Sequence, residues 1–109
     1  MSASTTFSPL LQIPIKKLPP RVITEVFPIF ENVLTPETHV AIGVSSGVDS
    51  MSVACLLIIR YAHKNFPLSH LHIIHCNHKL RKQSEVEEQF MQDFFKGIPL
   101  HVYHRPPTL

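Results

Sequence analysis

The segment Gly43-Val44-Ser45-Ser46-Gly47-Val48-Asp49-Ser50 concentrates residue types that bind anions. A short apolar run, His39 to Val44, precedes it and reads as a buried strand. An almost continuously apolar stretch from Asp49 to about Asn65 comes after it and reads as a helix packed on a sheet. A strand-to-helix turn gathers unpaired backbone N–H groups at the positive end of a helix dipole, a combination that attracts phosphate. Gly47 lets the backbone turn tightly and approach closely, and Ser45, Ser46 and Ser50 add hydroxyl donors. The Lys of a Walker A loop and the three glycines of a dinucleotide fingerprint are both missing. A carboxylate such as Asp49 repels a polyphosphate unless a divalent cation lies between them, which points to Mg2+. By type Asp49 also suits a helix cap, and the residues alone leave both roles open.

A second cluster, His75-Cys76-Asn77-His78-Lys79-Leu80-Arg81-Lys82-Gln83-Ser84, comes directly after the apolar run Leu71 to His75, which reads as another strand. Cys76, Asn77 and His78 read as turn residues. The basic run Lys79, Arg81 and Lys82 is either a solvated loop or a lid over the phosphate site. His70, His72, His75, Cys76 and His78 lie close enough in sequence for a zinc-binding structural domain to be an alternative reading. His39, His63, His101 and His104 read as surface or strand-end residues without a role.

Ser45-Ser46-Gly47-Val48-Asp49-Ser50 resembles the SGGxDS signature of the PP-loop, or N-type ATP pyrophosphatase, superfamily, with Ser46 in place of the first glycine. The second cluster resembles the H-x-N-H-x-L-R-x-x-S stretch of the tRNA(Ile)-lysidine synthetase family, and the two motifs together span roughly Val40 to Phe95. The resemblance implies ATP and Mg2+ as cofactors, with isoleucine tRNA bearing a CAU anticodon and free lysine as partners. It implies ligation of lysine to the wobble cytidine through an adenylated C2 carbonyl oxygen. Carried onto this chain, Ser45, Ser46, Gly47, Val48 and Ser50 form the pyrophosphate-binding turn and Asp49 holds Mg2+. Backbone near Val44 and His75 meets adenine, and Arg81 contacts phosphate or tRNA. A serine at position 46 strains the turn if that position needs a positive φ. Another PP-loop tRNA-modifying ATP pyrophosphatase and a non-catalytic nucleotide-binding module are the alternatives.

The elements that must hold these motifs are legible in the remaining sequence. With 109 residues, 44% of them apolar and 17% charged, the chain fits one small globular domain. A net charge of +2 excludes the strongly basic balance that alone announces a nucleic-acid binder. Cys55 and Cys76, without CxxC spacing, read as thiols of a reducing compartment. No apolar run approaches the roughly 20 residues of a membrane span. The expected location is cytoplasmic; the Ser- and Thr-rich start, with Arg21 as its one arginine, leaves organelle import as the alternative.

Residues 1–20 read as a flexible, proline-containing leader, and 21–109 as the N-terminal portion of a PP-loop ATP-binding domain. Arg21 to Leu34 reads as a helix kinked or divided by Pro28. Ser84 and Glu87 have capping-box spacing before a helix whose face carries Val86, Phe90, Met91, Phe94 and Phe95 and which Gly97 ends. Leu100 to Tyr103 reads as a third strand. The alternation predicts an α/β fold: a parallel sheet with right-handed crossovers and helices on both faces, ending after its third strand. In PP-loop proteins a fourth strand lies beside the signature strand. Without it that strand is an exposed edge open to self-association, and the chain alone is expected to make no lysidine.

Overall fold

The computed structural model describes residues 6–77 and 82–105. Three strands, β1 (Val40–Gly43), β2 (Leu71–Asn77) and β3 (Leu100–His104), form one parallel sheet in the order β1-β2-β3. Val40 to Gly43 stand opposite Leu71 to Ile74, and Ile73 to Asn77 opposite Leu100 to His104. Between the strands run α2 (Val48–Lys64) and α3 (Lys82–Phe94), preceded by a short α1 (Phe27–Glu31). The α/β class, the parallel sheet and the order of elements are those expected from the sequence.

Pro28 sits in the first turn of α1, and a π-helical turn over Val22–Val26 leads into it, so the proline does divide this stretch. Helix α2 ends where Asn65 takes a left-handed φ of 56° and Phe66 N–H returns to the Tyr61 carbonyl at 3.0 Å, before Pro67 stops the chain from continuing as helix. Gly97, at φ 105°, makes the corresponding turn after α3.

Burial alternates cleanly along β2: Leu71, Ile73, His75 and Asn77 are buried, while Ile74 and Cys76 are exposed. The buried face meets Ala54, Leu57, Ile58 and Tyr61 of α2, Met91 of α3, and Phe95 and Ile98 beyond it in one continuous core. Phe7 joins this core, and the 3-10 turn Ser8–Gln12 packs along α2, where His63 Nε2–H donates to the Ile13 carbonyl at 2.6 Å. Helix α1 is tied to α2 by Glu31, whose carboxyl the Lys64 ammonium and then the Arg60 guanidinium hold below its ordinary value.

Among the described residues the helices cover one face of the sheet, not both. Strands laid down side by side in one direction with right-handed crossovers send every crossover to the same side. A helix on the other face therefore requires a strand added beyond β1. The open face leaves Ile74 41% and Tyr103 51% exposed.

Three local expectations are corrected. Cys76 and Asn77 belong to β2 rather than a turn, because β3 is long enough to pair as far as His104. Helix α3 begins at Lys82, so Ser84 lies inside its first turn instead of capping it. Val86 and Phe90 are exposed, since the stripe turned to the sheet runs through Ser84, Glu88, Met91 and Phe95 at three- and four-residue steps.

Candidate nucleotide site

The turn from β1 into α2 lies at the carboxyl edge of the parallel sheet, where open α/β sheets bind ligands. Val44 N–H still pairs with the Ile74 carbonyl at 2.8 Å; the backbone then leaves the sheet. Ser50 organises the loop beyond this point. Its Oγ accepts the Ser45 N–H at 2.9 Å, lies 2.9 Å from Ser45 Oγ, and stands 2.9 Å from the Ser45 carbonyl. Gly47 N–H reaches Ser45 Oγ at 3.2 Å, and Met51 N–H closes the first helical turn on the Gly47 carbonyl at 3.1 Å. One hydroxyl thus folds six residues into a tight loop. Among the described residues the N–H groups of Val48, Asp49 and Ser50 are left as the unpaired donors of the first turn, facing out along the helix axis.

Gly47 occupies the N-cap position at φ −70°, so its value here is space rather than an unusual dihedral. A Cβ on Gly47 would meet Ser45 Oγ at 3.2 Å. Among the described residues only Asn65 and Gly97 have positive φ, so Ser46 sits in its turn without that strain. Asp49 lies in the first turn of α2, exposed, two residues past the capping position that Gly47 occupies, and no side-chain bond caps α2. Val48 beside it is 81% exposed.

His75 is 3% exposed, and its Nδ1–H donates to the Val44 carbonyl at 3.0 Å. The imidazole braces the backbone just before the turn, from inside the sheet. Arg81 lies outside the described residues. Sequence reading passed over Glu88 and His104, which meet near the end of β2: Asn77 Nδ2–H donates to Glu88 Oε1 at 2.8 Å, and His104 Nε2 approaches the same oxygen at 2.6 Å. The signal available was spacing, since Glu88 falls on the same α3 stripe as the buried Met91 and Phe95.

Of the residues read as a zinc alternative, His78 lies outside the described residues, and His70, His72, His75 and Cys76 do not converge on one point. Three of the chain's histidines join side by side across the open face: His39 Nδ1 lies 2.8 Å from His72 Nε2, and His72 Nδ1 lies 2.9 Å from His101 Nε2. His70 stacks on His39 with ring centroids 4.1 Å apart. Among the described residues no group of three or more His, Cys, Asp or Glu side chains is placed to hold a metal ion. No helix among them is long and apolar enough to cross a membrane.

Comparison with known proteins agrees with this geometry. The tRNA(Ile)-lysidine synthase of Staphylococcus epidermidis is 34% identical over 67 residues, which cover 62% of this chain and 15% of the relative. That of Streptococcus thermophilus is 41% identical over 64 residues, covering 57% of the chain and 14% of the relative. That of Persephonella marina is 32% identical over 65 residues, covering 60% and 14%. The chain thus spans only a small part of the curated relatives it matches. A family model described as the PP-loop domain matches residues 19–106, both motif regions included. With its signature turn at the carboxyl edge of a parallel sheet, the chain belongs to the PP-loop domain family.

Proposed function

We propose that this chain is the ATP-binding part of a lysidine-forming ligase. The observation that carries the reading is the Ser45–Ser50 turn: a hydroxyl-lined loop at a helix N-terminus, with three outward N–H groups and one exposed carboxylate beside them. Ser45, Ser46, Gly47, Val48 and Ser50 receive the pyrophosphate portion of the nucleotide. His75 holds the Val44 carbonyl, and with it the start of the turn, in place. Arg81, from the motif shared in pattern with lysidine synthetases, is assigned to phosphate or tRNA.

The residues fit Mg2+ on nucleotide phosphates. Asp49 is exposed at the turn and lacks a side-chain partner among the described residues, and Mg2+ is commonly held by one or two carboxylates plus substrate phosphates. When bound there, the ion would screen the phosphate charge. Positioning and charge stabilisation are the contributions this kind of phosphate chemistry asks of the protein. Isoleucine tRNA and lysine are the substrates that the named relatives bring to the reading.

Calorimetry of ATP with and without Mg2+ tests it. Asp49→Asn is expected to weaken Mg2+-supported binding about tenfold and metal-free binding hardly at all. Equal losses in both conditions would return Asp49 to a purely structural role, and a wild-type chain that binds no ATP would overturn the reading.

A further inference from the structure

Asn77 belongs to the H-x-N-H motif, where a polar side chain next to a nucleotide turn invites a contact role. Its placement argues otherwise. The residue is 1% exposed, its side chain faces α3, and both amide N–H groups point at internal acceptors: Glu88 Oε1 at 2.8 Å and, more weakly, the Ser84 carbonyl at 3.4 Å. Glu88 is saturated in turn. Its Oε1 also receives His104 Nε2–H at 2.6 Å, and its Oε2 receives Gln92 Nε2–H at 3.1 Å. His104 is the residue opposite Asn77 in the sheet register. One amide therefore fastens the carboxyl end of β2 to the first two turns of α3, and through Glu88 to the end of β3.

We propose that Asn77 is a positioning residue of the nucleotide site, one that acts through Glu88 and α3 without touching the ligand. The proposal rests on the ATP-binding reading. Three elements meet at the sheet edge that carries the Ser45–Ser50 turn, and β2 contributes His75, which braces that turn two residues before Asn77. Buried polar groups of this kind hold geometry tightly when every donor is matched and fail when one is reversed.

A charge-reversal rescue separates positioning from contact. Asn77→Asp replaces two donors by acceptors and sets a carboxylate against Glu88; Mg-ATP affinity is expected to fall about tenfold. Adding Glu88→Gln rebuilds the amide–carboxylate pair in the opposite sense and should recover part of that loss, the contacts with the Ser84 carbonyl and His104 staying mismatched. A contact residue cannot be rescued this way, so a double variant as weak as the single one would overturn the proposal.

Hydrogen exchange on the same full-length chains, without nucleotide, gives a second readout. Peptides covering residues 71–77 and 84–92 should lose protection in Asn77→Asp and regain it in the double variant. Unchanged exchange in Asn77→Asp would also overturn the proposal. If the wild type binds no ATP, the functional reading falls and the nucleotide role of Asn77 with it, while the exchange pattern still decides whether the fastening exists.

Discussion

Lowering the pH from 7.5 to 5 should weaken the fold through His72, the central ring of a histidine row on the open sheet face. His39, His72 and His101 are joined by two N···N contacts of 2.8 and 2.9 Å, and each contact needs one proton between its nitrogens. Three neutral rings bring three protons: two fill the contacts and the third sits on an outer nitrogen. A fourth proton fits on the other outer nitrogen with both contacts intact. A fifth would put two N–H groups face to face, and a contact must open.

At the centre of the row, loss of water first, then the neighbouring His101, His39 and His70, lower His72 from its ordinary 6.5. His70 faces the same group, stacked on His39 and bonded through Nδ1–H to the Pro36 carbonyl. For a lowered histidine the sign is fixed: the contribution to stability is complete above the unfolded value and is lost as pH falls through and below it. With a deficit of up to one proton at His72, the unfolding constant rises by at most about tenfold per pH unit. Exposed rings that swing apart will reduce this.

Urea denaturation of the wild type and of His72→Gln between pH 7.5 and 5 measures the difference in slope, and nitrogen-15 spectra of the imidazoles count the protons. Identical pH dependence in the two proteins would refute the reasoning. So would a His72 ring that gains its second proton at the pH of an unfolded histidine while both contacts persist.

Ser46→Gly should not tighten nucleotide binding, because Ser46 has no positive-φ strain to relieve. It should cost about 0.5–1 kcal/mol of stability in chemical denaturation through added freedom of the unfolded chain. Gly47→Ala keeps an accessible φ but pushes a methyl to within 3.2 Å of Ser45 Oγ. Displacing that hydroxyl from Ser50 should weaken Mg-ATP about fivefold in calorimetry with little change in thermal midpoint, and unaltered affinity would count against a tightly packed turn. Strand β1 is an edge of the sheet, and Val44 N–H points to β2, so by alternation the Ala41 N–H points outward. If chains associate edge to edge, Ala41→Pro should lower the mass seen by light scattering at high concentration while leaving β2 pairing intact.

Much of this was legible because it rests on local rules. Apolar continuity marked β1 and α2, Pro28 divided the first helical stretch, and Gly97 ended the turn after α3 for reasons contained within a few residues. The Ser45–Ser50 segment was legible as a strand-to-helix turn because glycine and hydroxyl residues sit together between an apolar strand and an apolar helix. The features that escaped depend on residues far apart in sequence. His75 turns inward because β2 alternation aims it at the buried face, and Asn77 lies in a strand because β3 reaches far enough to pair with it. Glu88 and His104 meet only once α3 has packed on the sheet. The side-by-side joining of His39, His72 and His101 needed the sheet order, which no local pattern states.

The strand order has a consequence for how the protein is made. Because β1, β2 and β3 lie side by side in the order in which they are synthesised, each new strand finds its neighbour already waiting. Each crossover helix lies between the two strands it joins, so a nascent chain closes one strand-helix-strand unit before the next has emerged. Each pairing closes over about 30 residues, so this order keeps the loop closures of a parallel sheet as short as crossover connections allow. Delivery from the ribosome then runs in the same direction as assembly. The Ser45–Ser50 turn, placed between the first strand and the first long helix, closes first, and α3 and β3 then fasten the far end of the sheet that carries it.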